Sequence, residues 1–396
     1  MFEAIHKLPD DPILGLSAAF ARDPNPRKID LGAGVYKDES GTTPIFAAVK
    51  RAEALWQEQE HTKVYLPQPG FSDFNDAMLQ LIFGADHPAL SADRARSVMT
   101  PGGSGGLRVC AELLNRCQTG GDLWVSRPTW GNHTPLIGST GLRIREYPYY
   151  DDASHSVMFE DMLSALGRLG PQDIVLLHGC CHNPTGADLS REQWQAIAKL
   201  AAERGFLPFI DFAYQGLAEG LEEDAYGVRV MAEAVPEMAV AYSCSKNFGL
   251  YRERIGMSIA LAKDTGAADA SLTHMTNIAR QIYSMPPSHG GAIVKIILHT
   301  PELYEQWRRE VDAMRLRIND LRALLADTLA AMNAPVDFGF IKSQRGMFSL
   351  LGIGKEQVLR LRQEFSIYIV DSSRLNIAGV SPENVDYLAE SIIAVL

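Results

Sequence analysis

Four short segments hold the side chains of this chain that are best suited to covalent chemistry. Ser243-Cys244-Ser245-Lys246 follows the apolar run Met238–Tyr242. A lysine at the carboxyl end of a buried strand stands where open α/β sheets bind ligands. Desolvation or nearby cations there lower its pKa and make it a nucleophile toward carbonyls. Alone, Lys246 reads more readily as a lysine that has emerged from a strand into solvent, so the companion segments decide. His178-Gly179-Cys180-Cys181-His182-Asn183-Pro184-Thr185-Gly186 follows the apolar Ile174–Leu177, and Asp211-Phe212-Ala213-Tyr214 follows Leu207–Ile210. Thr100-Pro101-Gly102-Gly103-Ser104-Gly105-Gly106-Leu107-Arg108 follows Val98-Met99 and leads into a helical period. Such a loop turns backbone N–H groups and a helix N-terminus toward an anion. It is neither a GxxxxGK[ST] loop nor a GxGxxG fingerprint, which excludes those nucleotide-binding signatures.

Taken together, the segments match the needs of one cofactor. Pyridoxal phosphate requires a lysine for its aldehyde, a carboxylate for its ring nitrogen, donors for its phenolate oxygen and a phosphate cradle. Lys246, Asp211, Asn183 with Tyr214, and the Gly103–Gly105 loop with Ser243, Ser245 and Arg254 supply these in turn. The run His178, Cys180, Cys181, His182 invites a metal reading, but adjacent cysteines lack the Cys-x₂-Cys spacing of zinc sites, and no metal is expected.

The elements that must position these residues alternate. Leu123–Val125, Ile174–Leu177, Leu207–Phe212 and Met238–Tyr242 are short apolar runs with polar or Gly/Pro boundaries, which predicts buried strands. Ser190-Arg191-Glu192-Gln193 is a capping-box pattern opening a helix with Trp194, Ile197, Ala198 and Ala201 on one face. Strand–helix alternation predicts a mainly parallel sheet covered by helices. From Pro301, Leu303, Trp307, Val311, Met314, Ile318, Leu321, Leu324 and Leu329 recur at helical spacing and predict one long amphipathic helix, with a final helix near Val385–Val395. We expect an α/β fold with a large domain over 46–300, a long helix and smaller α/β domain over 301–396, and an N-terminal arm over 1–45 that forms part of the small domain.

Composition narrows the class further. Lys plus Arg number 37 against 48 Asp plus Glu, a formal charge of −11, so no basic footprint for nucleic acid is present. No apolar stretch reaches the roughly 18 residues needed to cross a bilayer. MFEAIHKLPDDPILGL lacks the basic and apolar regions of a signal peptide. Five scattered cysteines cannot staple 396 residues, which points to a soluble, reducing, cytoplasmic setting.

The ordered motifs resemble the class I aminotransferases of PLP fold type I, in the aspartate and aromatic amino acid aminotransferase subgroup. Asn183-Pro184-Thr185-Gly186, Asp211-x-Ala213-Tyr214 and Ser243-x-Ser245-Lys246 with Arg254 eight residues on carry the likeness, together with DPILGL (11–16), LGAGVYKDESG (31–41), VSRPTWGNH (125–133), AYQGLAEGLEEDA (213–225), SKNFGLYRERIG (245–256), RGMFS (345–349) and SSRLNIAG (372–379). The likeness runs nearly end to end. It implies pyridoxal 5'-phosphate held covalently by Lys246, which also shuttles the proton, with Asp211 on the ring nitrogen and Asn183 and Tyr214 on the phenolate oxygen. It implies Trp130 stacked on the ring, His133 behind Asp211, and Gly103, Ser104, Gly105, Ser243, Ser245 and Arg254 around the phosphate. Arg374 and the Gly34 backbone are implied to take the substrate α-carboxylate, with Phe348 also at the substrate. Tyr65 and Arg280 are implied to reach a neighbouring subunit's site in a homodimer, Arg280 meeting a side-chain carboxylate. Outside these motifs, Arg374 or Arg280 would read as a solvated arginine and Trp130 as core packing.

Substrate choice is less fixed. Met285 in Tyr283-Ser284-Met285-Pro286-Pro287, Val64 and Ser104 lean toward the aromatic type, since Met285 offers a polarizable surface to rings. Val35, Lys37 and Thr43 resemble the aspartate type. The expected activity is ping-pong transamination of an aromatic amino acid (tyrosine, phenylalanine) or aspartate with 2-oxoglutarate. A dedicated aspartate enzyme is the alternative, another fold type I PLP lyase a more remote one, and a nicotinamide dehydrogenase lacks its fingerprint.

Overall fold

In the computed structural model, residues 1–8, 14–117 and 120–396 are described. Asp11, Pro12 and Ile13 of the DPILGL segment lie outside them. The core is a seven-stranded sheet of β1 (Ala95–Pro101), β2 (Leu123–Arg127), β3 (Ile144–Pro148), β4 (Ile174–His178), β5 (Leu207–Phe212), β6 (Met238–Ser243) and β7 (Ile255–Leu261), in the order β1-β7-β6-β5-β4-β2-β3. All neighbours pair in parallel except β7, which runs antiparallel to both β1 and β6. Every residue of β6 and β7 is buried, as expected of strands covered on both faces. β7 was not among the expected strands: Gly256 and Ser258 interrupt a continuous apolar run, and the signal it does carry is the alternation of Ile255, Met257, Ile259 and Leu261 with small residues.

Four helices matter for the site. α1 (Gly102–Cys117) leaves the end of β1 directly. α2 (Arg191–Arg204) opens on the capping box: Ser190 accepts from the Gln193 N–H, the Gln193 side chain accepts from the Ser190 N–H, and Gly205 closes the helix at φ +77°. α3 (Thr265–Ile282) carries Arg280 in its last turn. α4 (Pro301–Ala331), 31 residues with proline at its first position, buries Leu303, Trp307, Val311, Met314, Ile318, Leu321 and Leu329. Leu325 rather than Leu324 completes the stripe, and Arg322 is buried beside it. After α4, Phe348–Leu350 pairs antiparallel with Arg374–Asn376, and Ile367–Tyr368 pairs in parallel with Ile29–Asp30 from the far end of the chain.

Register converts this topology into a site. Asp211 lies between His178 and Ala241 on the neighbouring strands, and Ser243 faces Gly256, which faces Thr100. The loops bearing the chemical groups therefore leave β1, β4, β5 and β6 at one end of the sheet, the carboxyl end of the parallel strands, where such sheets bind ligands.

Candidate active site

A cavity of about 250 Å³ lies at that end of the sheet, and Lys246 stands in it with Asp211, Tyr214, Asn183, Trp130 and Arg374. The Lys246 amine has no hydrogen-bond partner among the described residues and sits 4.8 Å over the Tyr214 ring. Burial, then Arg254 and Arg374, pull its pKa down to about 8 against the opposing pull of Asp211. A lysine near pH 8 is a nucleophile and a proton carrier.

One wall is built for an anion. Arg254, at φ +54°, donates to the Tyr251 carbonyl at 2.9 Å and lines the cavity with Ser243, Ser245, Gly103 and Ser104. A Cβ on Gly103 would lie 2.8 Å from the Ser243 Cβ, so the missing side chain lets strand β6 close on the N-terminus of α1. Backbone N–H groups, hydroxyls and a guanidinium converge there, as phosphate binding requires. Gly105 packs on Pro101 one turn along, without lining the cavity.

The opposite wall carries Arg374, 6% exposed. It donates to the Asn183 Oδ1 at 3.3 Å and the Gly32 carbonyl at 3.1 Å, while its buried Nε has no partner. Its guanidinium lies 4.2 Å over the Phe348 ring, and burial lowers its pKa from the ordinary arginine value. Gly34 borders the same space, with a Cβ there reaching 3.1 Å from Phe348 Cζ.

Behind Asp211 runs a buried polar chain. His133, fully buried, brings Nε2 to 2.9 Å from the Asp211 Oδ2. Its Nδ1 lies 2.8 Å from the Thr129 hydroxyl, which lies 3.1 Å from His178 Nε2. The bond to Asp211 places a proton on His133 Nε2, and the network then has the Thr129 O–H donating to His133 Nδ1 and His178 Nε2–H donating to Thr129. Burial opposes the Asp211 charge, but the His133 hydrogen bond and the nearby Lys246 cation hold it below the usual carboxylate range. Burial and the neighbouring His133 push His178 down to about 3, keeping it neutral. Sequence reasoning missed Thr129, Leu107 and Ala213, and treated His178 only as part of a metal-like run. Its position at the end of an apolar run was the available signal, and the structure pairs it directly with Asp211. Among the described residues no cluster of His, Cys, Asp or Glu has metal-holding geometry.

Two candidates stand apart. Tyr65 is 86% exposed, and Arg280 is exposed on α3, bonded to the Ser284 hydroxyl. Neither lines the cavity.

The profile of the family described as aminotransferase class I and II matches residues 26–392. The chain belongs to that aminotransferase family. The curated aspartate aminotransferase of Haemophilus influenzae is 48% identical over 396 residues, covering all of both chains. The aromatic-amino-acid aminotransferase of Pseudomonas aeruginosa is 44% identical over 394 residues, covering 100% of this aminotransferase and 98% of the relative. Among solved structures, that of an aromatic-amino-acid aminotransferase from Burkholderia pseudomallei, covalently bound to pyridoxal phosphate, superposes with a TM-score of 0.97 at 40% identity, covering 100% and 99% of the two chains. The fold is therefore fold type I, and no helix among the described residues of this aminotransferase is long and apolar enough to cross a membrane.

Proposed function

We propose that this aminotransferase holds pyridoxal 5'-phosphate covalently on Lys246 and moves the amino group of an aromatic amino acid or aspartate to 2-oxoglutarate, giving a keto acid and glutamate. The observation that carries the reading is the pairing, across one cavity, of a lysine amine poised at about 8 with a buried arginine whose Nε lacks a partner. The first suits a carbonyl and the second a carboxylate.

The residues present fit the cofactor. Gly103, Ser104, Ser243, Ser245 and Arg254 would hold its phosphate, in a cradle that a Cβ at position 103 would fill. Asp211, whose Oδ1 has no donor among the described residues, would hold the proton on the ring nitrogen, while His133 fixes Oδ2. Asn183 and Tyr214 would hold the phenolate oxygen, and Trp130 would cover the ring face. When bound, the cofactor supplies the carbonyl that takes up the amino group and a conjugated ring that accepts the electron pair left on Cα. Once the substrate amine has displaced it, Lys246 Nζ takes the proton from substrate Cα and returns it on the far side of the amino nitrogen, a transfer suited to an amine with a pKa of about 8. Arg374, turning from its two weak oxygen contacts to a bidentate carboxylate, orients Cα toward that amine. Phe348 and the Gly34 backbone close the carboxylate end against water.

Tyr65 and Arg280, exposed and outside the cavity of their own chain, are proposed to serve the cavity of a second copy in a homodimer. Retention of Arg280 favours dicarboxylate binding, and Met285, Val64 and Ser104 favour aromatic rings, hence dual specificity. Val35, Lys37 and Thr43 favour the second reading, a dedicated aspartate enzyme. In the structure Thr43 donates to the Tyr36 carbonyl and Lys37 to the Asp30 carbonyl, bonds that stiffen the loop beside Gly34. The boundaries 1–45, 46–300 and 301–396 stand as our division of the chain, supported by the pairing of residues 29–30 with 367–368. Five unpaired cysteines favour the cytoplasm.

The visible spectrum of the purified protein, recorded before and after L-phenylalanine with no keto acid present, tests the reading. A yellow band that bleaches supports cofactor, half-reaction and aromatic donor at once. A band that responds only to aspartate supports the dedicated enzyme, and a protein that takes up no added cofactor removes Lys246 from its role.

A further inference from the structure

Arg322 is a buried charge that the chemistry above does not use. It lies on α4, 1% exposed, and forms no ion pair with any described carboxylate. Its guanidinium instead donates to five oxygens of one short segment. Nη2 reaches the carbonyls of Gly346 and Phe348, both at 2.6 Å, and Arg345 at 3.1 Å; Nη1 reaches the Ser349 hydroxyl at 2.6 Å and the Ile341 carbonyl at 3.2 Å; Nε also reaches Gly346, at 3.2 Å. Ser349 passes the chain on to Gln344 Oε1 at 2.6 Å. Burial brings the Arg322 pKa down to about 9, which leaves it charged at neutral pH.

The segment it grips is the back of the carboxylate wall. Phe348 has its carbonyl on Arg322 and its ring under Arg374, and the strand it begins pairs Leu350 with Arg374. Arg345 donates its N–H to the Gly186 carbonyl at 2.7 Å, and a Cβ on Gly186 would come within 2.5 Å of the Phe348 carbonyl. Gly186 ends the turn that presents Asn183, and Asn183 accepts from Arg374. The contacts form a ring: Arg322, Phe348, Arg374, Asn183, Gly186, Arg345 and back to Arg322.

We infer that Arg322 is a positioning residue for the substrate carboxylate, mooring residues 341–349 so that Arg374 and Asn183 stand at fixed places in the cavity. The inference rests on the reading of Arg374 as the carboxylate anchor. Only a planar fork with five donors satisfies this set from one side chain; a lysine ammonium offers three donors from a single point.

The test uses the holoenzyme of wild type, Arg322→Lys and Ser349→Ala. Binding of 3-phenylpropionate and of succinate is measured by calorimetry, KM and kcat for phenylalanine and aspartate by turnover, and the thermal midpoint separately. Displacing the anchor by a fraction of an ångström weakens every ligand that shares it. Arg322→Lys is therefore expected to raise Kd for both carboxylates, and KM for both donors, by a common factor of about tenfold, with kcat changed by less than about threefold. Ser349→Ala, which removes one acceptor, is expected to act in the same direction by about two- to threefold. A lowered thermal midpoint with Kd and KM unchanged makes Arg322 a plain stabiliser of the fold and overturns the inference. Should Arg322→Lys not fold, an unchanged Kd in Ser349→Ala overturns it alone. A wild-type protein that binds neither carboxylate refutes the anchor reading itself, a failure visible before any variant is compared.

Discussion

Titrating Lys246 in the cofactor-free protein tests the electrostatics of the cavity directly. With its pKa drawn from 10.5 to about 8, about one amine in ten is neutral at pH 7, against about one in three thousand for an unperturbed lysine. The cavity thus raises the amount of nucleophile about 300-fold at that pH. Pyridoxal without its phosphate serves as the reagent, so the anion cradle does not enter. Trapping by borohydride and peptide mass spectrometry then give the rate of labelling at Lys246 between pH 6 and 10. The midpoint is expected near 8. Asp211→Asn removes the anion that holds the amine up and moves the midpoint to lower pH; Arg374→Gln removes a cation and moves it higher. The same shift carries a stability signature. Between about pH 8 and 10.5 the unfolded chain binds a proton that folded Lys246 has released, so this group makes the cofactor-free fold more stable as pH rises through that window. A wild-type midpoint close to 10.5, or two variants that move it the same way, would refute the reasoning.

Arg280→Ala is expected to lower kcat/KM for aspartate by about 100-fold, the scale of a lost charged hydrogen-bonded pair, while sparing phenylalanine; steady-state kinetics with both donors check it, and equal losses sink dual specificity. Mixing this variant with Lys246→Ala, inactive by itself, should restore about a quarter of the wild-type aspartate activity, since half the dimers are mixed and each holds one complete site. No recovery would place Arg280 in its own chain's cavity. Gly103→Ala puts a Cβ 2.8 Å from the Ser243 Cβ and should weaken cofactor affinity at least about tenfold in equilibrium dialysis; unchanged affinity would move the phosphate elsewhere.

Much of the fold was legible because its parallel strands are short apolar runs that end at polar residues. Met238–Tyr242 and Leu207–Phe212 fall within one residue of the observed strands, and the α2 capping box gives its start directly. β7 escaped because Gly256 and Ser258 break the continuous apolar run by which the parallel strands were recognised, although Ile255, Met257, Ile259 and Leu261 alternate with small residues at strand spacing. The segments that converge on Lys246 were legible as strand ends, whereas the chain from Asp211 to His178 was not, since Thr129 and His178 meet only through packing of a loop against a strand end 49 residues away. Arg322 was invisible for a related reason. On a helix bearing many arginines, nothing local distinguishes one whose acceptors lie 19 to 27 residues further along.

The bond from Arg374 to the Gly32 carbonyl joins residues 342 positions apart. The entropic cost of closing a loop grows only slowly with its length, so what delays this contact is that its two ends are made far apart in time. During synthesis at roughly 5–20 residues per second, Gly32 waits about 20–70 s on the ribosome before its partner exists. The strands that carry Lys246 and Asp211 are made well before that. A nascent chain can therefore bring together the nucleophile and the ring-nitrogen carboxylate while it still lacks any grip on a substrate carboxylate. Order of manufacture thus separates the two halves of the site in time, with recognition added last.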